Sequence, residues 1–421
     1  MSFRAGLDRR GVKVFGVGGP GGGTLSSAVL IRKSRLRRDN GSGFRKGFAP
    51  RVGRSRPLPM ETPMPLVHGF CLIRRLEIPE IASQAELYRH EATGGEVLSL
   101  VSDDENKVFG ISFRTPPANS AGLPHILEHS VLCGSRKYPV KEPFVELLKG
   151  SLQTFLNAFT FPDKTCYPVA STNARDFENL IDVYLDAVFH PRLTPDVLRQ
   201  EGWRLALAPG RVRPKLMGVV YNEMKGAYSS PDNLLHELSQ QSLFPDTAYG
   251  LDSGGDPERI PELSFEEFAA FHRRHYHPAN ALAFFSGDFD LERRFALLDA
   301  YYREFGPAEP CAPPALQARF AAPVLLRRPY AVSAWSGPHK ALLTRNFALG
   351  EASLDPELHL VLHLLEHVLI GMPSSPLRKA LWSPAWARIW PGPGLRPSSA
   401  SSFSRWGSRA WPRPTSTGQA A

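Results

Sequence analysis

This 421-residue chain predicts an α+β fold in which one unit occurs twice. Three observations carry the prediction. Short apolar strand candidates alternate with amphipathic helical stretches through hairpin-like turns, the pattern of mixed α+β layering. The order strand, strand, helix appears near 96–129 and again near 330–370, which suggests an internal duplication. Between the copies, residues 306–323 hold five prolines and predict a linker.

The elements follow in order. Residues 1–65 are a basic Gly/Arg-rich leader with no folded pattern. Gly16, Gly18 and Gly21 satisfy G-x-G-x-x-G, but Pro20 sits inside the would-be turn and no β-α-β unit surrounds it, so a low-complexity leader is the better reading. From Phe70 the pattern becomes that of a folded unit. Strands are expected over 96–102 and 108–114, joined as a hairpin by Asp103-Asp104-Glu105-Asn106, with a polar loop over 115–120. A helix opens near Gly122 to Pro124, and a short one follows over 143–149. Strands over 154–160 and 165–170 precede a long amphipathic helix over 174–189. Helical stretches begin near Pro195 and over 219–227, and a strand at 281–287 with a helix at 291–305 closes a first domain of 66–305. The second copy, 324–380, has strands at 330–336 and 341–349 and a helix at 356–370. In the last 40 residues five of the seven tryptophans fall among Pro, Ser, Gly and Arg, and no helical or strand period is evident from 381 to 421. That tail suggests an out-of-frame or read-through continuation.

The net charge of +9 is concentrated at the ends. Residues 1–60 carry 14 Lys and Arg against 2 acids, and 374–421 carry 7 against none. The remainder, 61–373, has 29 against 39, or −10. An acidic folded part argues against nucleic-acid binding. Cys71, Cys133, Cys166 and Cys311 show neither C-x-x-C spacing nor the density of a disulfide framework, which points to a reducing, intracellular compartment. No unbroken run of 18 apolar residues occurs, so no membrane span is expected. The Arg-rich, acid-poor leader fits an organellar transit peptide, with a mitochondrial matrix or plastid destination; it fits equally well translated upstream DNA before a start at Met60 or Met64, with a cytoplasmic, bacterial location.

The chemistry centres on His125-Ile126-Leu127-Glu128-His129. With about 3.6 residues per turn, His125 and His129 share a helix face where two imidazoles can hold one metal ion. Glu128, on the flank, is placed to take a proton from an activated water. The order H-x-x-E-H is the inverted form of the zincin motif. Five letters are weak evidence, and His363-Leu364-Leu365-Glu366-His367 matches them again. A catalytic zinc site normally needs three protein ligands. The first match has ample downstream chain to supply a third; after the second, from Ser374 onward, there is no Asp, Glu or His. The second therefore predicts an amphipathic core helix with Leu362, Leu365 and Val368 inward. Cys133, four residues after His129, fits a small buried helix residue better than a ligand. His272, His275 and His277 form a cluster in which the last two share a face at strand spacing, but no acid or thiol completes a set, so structural hydrogen bonding is expected.

The run from Gly122 to Phe144, which contains His-Ile-Leu-Glu-His-Ser-Val-Leu-Cys-Gly-Ser-Arg-Lys-Tyr-Pro, resembles the presequence protease subfamily of the insulinase-like, or M16, metallopeptidases. Leu156-Asn157-Ala158-Phe159-Thr160, Gln200-Glu201-Gly202-Trp203, Val220-Tyr221-Asn222-Glu223-Met224-Lys225-Gly226, Ser253-Gly254-Gly255-Asp256-Pro257 and His275-Tyr276-His277-Pro278 extend the resemblance over roughly 66–380. It implies a duplicated M16-like α/β sandwich unit whose second, non-catalytic copy is truncated. It also implies Zn2+ as cofactor and Glu223 as third ligand beside His125 and His129; spacing alone leaves Glu201, Glu178 and Asp182 open. Glu128 would be the catalytic base. The family adds its peptide substrate as a strand to a sheet edge, which points here to 154–160, with Asn157 and Phe159 as candidate contacts. For Asn157, capping of an edge strand competes equally. The implied activity is zinc endopeptidase action on short unfolded peptides such as cleaved targeting sequences. Family members are longer, with a C-terminal half that contributes substrate-contacting Arg and Tyr residues, so a non-catalytic peptide-binding protein or inactive fragment is the rival reading.

Overall fold

The computed structural model describes residues 66–382 except 142, 208–209, 211, 332–339 and 352–355, together with the backbone of 24–25, 394–397 and 401–412. Most expectations for the leader and many for the tail therefore lie outside the described residues. In chain order the strands are β1 (Phe70–Ile78), β2 (Ser83–His90), β3 (Glu96–Val101), β4 (Lys107–Arg114), β5 (Gln153–Leu156), β6 (Phe159–Thr160), β7 (Lys164–Ser171), β8 (Arg204–Ala206), β9 (Lys215–Met217) and β10 (Ala281–Gly287). Interleaved with them are the helices α1 (Leu123–Val131), α2 (Pro143–Gly150), α3 (Ala174–Phe189), α4 (Val219–Tyr228), α5 (Pro231–Leu243), α6 (Phe265–His275) and α7 (Leu291–Tyr302).

Eight strands form one mixed sheet in the order β1-β2-β3-β10-β4-β7-β5, with β6 also pairing to β7. The expected hairpin of β3 and β4 does not form. β10 lies between them, parallel to β3 and antiparallel to β4. Two inter-strand steps are about 10 Å, and the five residues Ser102 to Asn106 span up to about 17 Å when extended, so the turn is long enough to step over an inserted strand. Its far side is anchored where β10 ends, with Asp288 N donating to Asp104 O at 2.9 Å and Lys107 Nζ meeting Asp288 at 2.6 Å.

Alternation along the strands builds the core. Val97, Phe109, Ile111, Phe113, Tyr167, Val169, Ala283 and Phe285 are fully buried on one face of the sheet, as period-2 patterning requires of a covered face. Aromatic contacts join this layer to the helices: Phe295 of α7 lies 4.9 Å from Phe70 and 4.5 Å from Tyr88, and Phe113 stacks on Tyr276, just beyond α6, at 4.7 Å. Asn173 starts α3 by accepting from Asp176 N, and Ser264 with Glu267 forms a capping box on α6. That box explains why 265–275 is helical, so His275 ends a helix, His277 lies just beyond it, and the strand spacing expected of the two does not occur.

Beyond α7, residues 306–320 have no regular secondary structure. The second region comprises β11 (Lys340–Glu351), α8 (Pro356–Glu366), a wide π turn His367–Gly371 and α9 (Pro376–Trp382), followed by β12 (Gly394–Pro397) and β13 (Ser401–Pro412). Of the expected strand at 330–336, residues 330–331 are not strand and the rest lie outside the described residues. β13 pairs antiparallel with β11, so a strand does occur in the tail. Its aromatic and serine residues supply no period-2 signal, and pairing with β11 is what makes them extended.

A further expectation is corrected by α8 and the turn after it. Leu362 is half-buried, but Leu365 and Val368 are 48% and 52% exposed; the neighbours of α8, the π turn and β12, leave its apolar side open. The stretch Pro356–Ala380 is also long and apolar enough to cross a membrane by length and composition. The test of 18 unbroken apolar residues passes over it because His359, His363, Glu366 and His367 interrupt the run. Its helix is itself broken around Met372 to Ser375.

Candidate metal centre

α1 begins at Gly122, whose φ of 73° is left-handed, and a Cβ there would come within 2.9 Å of Gly254 O and Gly255 Cα. This close approach seats the helix against the loop Asp252 to Gly255. Ile126, Leu127 and Val131 are fully buried, which turns His125, Glu128 and His129 together to the half-buried opposite side. The two imidazole centroids are 5.0 Å apart.

The outer nitrogen of each ring is already engaged. His125 Nδ1 lies 3.0 Å from Gly254 O, which can only accept, so Nδ1 carries the proton. His129 Nδ1 lies 3.4 Å from Glu201 Oε2. Burial pushes the Glu201 carboxyl up, but hydrogen bonds from His129 and Gln200 outweigh it and hold the group below the usual range. Burial pulls His129 down, and Glu201 with the charges of Glu128 and Glu223 outweighs it, so the imidazole is raised. Both Nε2 atoms therefore face one spot. Glu223 Oε2, on α4, stands 3.8 Å from His125 Nε2 and 3.9 Å from His129 Nε2. Donors around a tetrahedral zinc ion are separated by about 3.4 Å, so Glu223 Oε2 stands within about half an ångström of that spacing from each imidazole, and the three donor atoms all lie within 4.8 Å of one another. Outer hydrogen bonds of this kind fix ligand tautomer and orientation in metal sites. His125, His129 and Glu223 are the one set of three such groups that converges among the described residues.

Glu128 is half-buried and takes no hydrogen-bond partner among the described residues. Its charge is felt by Tyr167, Tyr184 and Tyr276, whose phenols burial already holds well above the ordinary range. The other carboxylates that spacing left open are committed elsewhere: Glu201 behind His129, Glu178 to Arg293 at 2.6 Å, and Asp182 to Lys137, Tyr138 and Tyr301. The Cys133 thiol lies outside the cluster and donates to His129 O at 3.5 Å.

The expected strand at 154–160 is two short strands, β5 and β6, broken at Asn157 and Ala158, on the edge of the sheet beside α1. The Asn157 carboxamide is exposed and accepts from Ala158 N at 2.9 Å, the capping alternative. Phe159 is 39% exposed and lies between Phe155 and Phe161 in a row of rings. The histidines of the 272–277 cluster make structural bonds: His272 Nε2 bonds Val188 O at 2.8 Å, His275 Nδ1 bonds Arg114 O at 3.1 Å, and His277 Nδ1 accepts from Ala279 N. In the second H-x-x-E-H, His363 and His367 are exposed and no third ligand joins them among the described residues. Sequence reasoning gave Glu201 and Gly254 no supporting role, although both lie in motifs it singled out. An acid and a glycine pair embedded in those motifs were the available signal.

The profile described as "Insulinase (Peptidase family M16)" matches residues 113–206, and that of the "Peptidase M16 inactive domain" matches 262–387. The second match takes in β10 and α7, which belong to the first sheet and its helical layer, and runs past α9. The chain is 53% identical over 318 residues to "Presequence protease 1, chloroplastic/mitochondrial" of Arabidopsis thaliana, 74% of this chain and 29% of that protein. It is 46% identical over 317 residues to "Protein HypA" of Clostridium perfringens (74% and 32%), and 40% over 325 residues to "Presequence protease, mitochondrial" of Xenopus laevis (75% and 31%). The chain thus spans about a third of the length of these relatives. In fold it is similar to the crystal structure of pitrilysin, with TM-score 0.57, 18% identity, and coverage of 82% of this chain and 36% of that one. A Helicobacter pylori protease gives TM-score 0.56, 17% identity, and coverage of 79% and 76%. With an insulinase-type match over the H-x-x-E-H helix and presequence proteases among its relatives at 40–53% identity, the chain belongs to the insulinase-like, or M16, peptidase family, on its presequence-protease branch.

Proposed function

We propose that this chain carries the catalytic site of a zinc metalloendopeptidase that cleaves short unfolded peptides, such as targeting sequences after their removal. The observation that supports this most is the convergence of His125 Nε2, His129 Nε2 and Glu223 Oε2 while both Nδ1 atoms are held from behind. Two imidazoles and a carboxylate are a hydrolytic zinc set. His125, His129 and Glu223 would hold the zinc, which would supply Lewis acidity for a peptide carbonyl and a water. Glu128 takes the proton from that water and returns it to the leaving amine nitrogen. Peptide backbone adds along the β5–β6 edge, with the Phe155–Phe159–Phe161 row beside it for an apolar side chain. The names of the Arabidopsis and Xenopus relatives support a mitochondrial or plastid location and a presequence substrate.

A second reading, binding of metal and peptide without turnover, is favoured by the openness of the site, where the Glu223 side chain is 55% exposed. Water exclusion strengthens every charge interaction in an active site, and the described residues leave this one open. One experiment separates the two. The purified chain should bind one zinc per molecule and cleave a quenched fluorogenic peptide. Glu128→Gln should keep the zinc and lose turnover by at least about 100-fold. Full zinc loading with no cleavage by the parent chain favours binding alone; cleavage retained by Glu128→Gln rules out Glu128 as the base.

A further inference from the structure

Behind the metal ligands, a layer of polar contacts joins the helix that carries Glu223 to the loop that holds His125. It converges on Asp252, which is 5% exposed. One carboxylate oxygen accepts from Gly254 N at 2.8 Å and Gly255 N at 3.2 Å. The other accepts from the Tyr228 hydroxyl at 2.6 Å, and Tyr228 is the last residue of α4, the helix of Glu223. Asp252 N donates to Ser120 Oγ at 3.1 Å and Asp256 N donates to Ser120 O at 2.8 Å, which ties the same loop to the residues leading into α1. The contact is close-packed as well as polar: a Cβ on Gly254 would meet Met224 Cε at 3.0 Å, and one on Gly255 would meet Gly122 Cα at 2.8 Å.

We propose that Asp252 and Tyr228 form a positioning clasp that sets the separation between Glu223 and the His125–His129 pair. The inference rests on the metal-site reading above and adds to it the residues that hold its two halves in register. Glu223 projects from α4 with its side chain more than half exposed, so nothing in its immediate surroundings fixes its distance from the imidazoles. The Tyr228 hydroxyl does so from five residues further along the same helix. It is bonded to the carboxylate that shapes the loop, and that loop supplies the Gly254 carbonyl that orients His125.

The test is Tyr228→Phe, which removes one oxygen and keeps the ring. Cobalt(II) replaces zinc as a spectroscopic probe, and affinity is read by chelator competition. The parent chain should bind one cobalt with a visible d–d spectrum, and His129→Ala should abolish it; failure at this step defeats the metal-site reading itself. Given a binding parent, Tyr228→Phe should weaken affinity about 10-fold, in the range for groups behind metal ligands, and change the band shape while the near-ultraviolet dichroism stays that of the parent. An unchanged spectrum and affinity in a folded Tyr228→Phe overturns the clasp. Should that variant not fold, Ser120→Ala reads the α1 side of the same network. It should shift the cobalt bands in the same sense with a smaller loss of affinity, and an unshifted spectrum there is equally fatal.

Discussion

The chain contains the same five-letter pattern twice, and the two copies differ in everything around it. α1 buries Ile126, Leu127 and Val131 completely, presents His125, Glu128 and His129 as one group, and has Glu201, Gly254 and Glu223 converging on that group. α8 and the π turn that follows it expose Leu360, Val361, Leu364, Leu365 and Val368 and present His363 and His367 to solvent. The difference teaches that a metal motif on a helix is defined by what stands opposite it. Helical periodicity places the two imidazoles together in either copy; a carboxylate from a distant helix and acceptors behind each ring come only from the tertiary fold.

The largest effect that can break this comparison is metal loss. His129→Ala should take bound zinc from one per chain to none, by elemental analysis after dialysis, whereas His367→Ala should leave the stoichiometry at one. Zinc retained by the first variant and lost by the second would reverse the assignment of the two motifs.

Next in size is the acid stability of the first unit. His272 and His275 are pulled down to about 4, first by burial and partly offset by their bonds to Val188 O and Arg114 O. Both imidazoles are neutral in the folded chain and protonate more readily once unfolded. Their contribution is therefore complete above about pH 6.5 and is lost as the pH falls toward about 4, up to about 3 kcal/mol for each. Urea midpoints followed by the fluorescence of Trp203, whose indole donates to Leu263 O ahead of α6, should fall across that window. His272→Gln should flatten the fall; an unaltered slope would show that this imidazole is not what titrates.

How much of this was legible in the sequence follows from the range of the forces involved. α1, α3, α4 and β10 were readable because caps and period are local: Asn173, Pro124 and the alternation of 281–287 are written within a few residues of what they determine. The insertion of β10 between β3 and β4 was not, since a five-residue turn after β3 is compatible with a hairpin and with a crossing, and the choice is made by a strand about 180 residues later. That His125 and His129 share a helix face was legible for the same local reason. Glu223 came only from resemblance, and Glu201 was first considered as a competing candidate, because which of two acids faces the two Nε2 atoms and which stands behind His129 depends on helix placement. The exposed face of α8 was misjudged since apolar period predicts a face that wants cover, and cover is not a property of the helix.

A smaller effect tests the outer layer of the first site alone. Glu201→Gln keeps an acceptor for His129 Nδ1 but removes the charge that favours it. Zinc affinity should fall about 10-fold by chelator competition, with the fold retained. Glu366→Gln, in the second motif, should leave affinity as it is. Equal affinities for Glu201→Gln and the parent chain would reduce Glu201 to a packing role.

The last contrast concerns packing, where the two helices should differ most simply. Leu127 is fully buried against the sheet, and truncation to Ala should cost about 2–5 kcal/mol, because the apolar contacts are lost and a cavity remains. Leu364 is 56% exposed, so most of its surface is already in water and Leu364→Ala should change stability by no more than about 0.5 kcal/mol. Paired urea titrations measure both. A cost for Leu364→Ala approaching that of Leu127→Ala would mean that the open face of α8 is covered in solution, and the contrast between the two helices would then rest on their ligands alone.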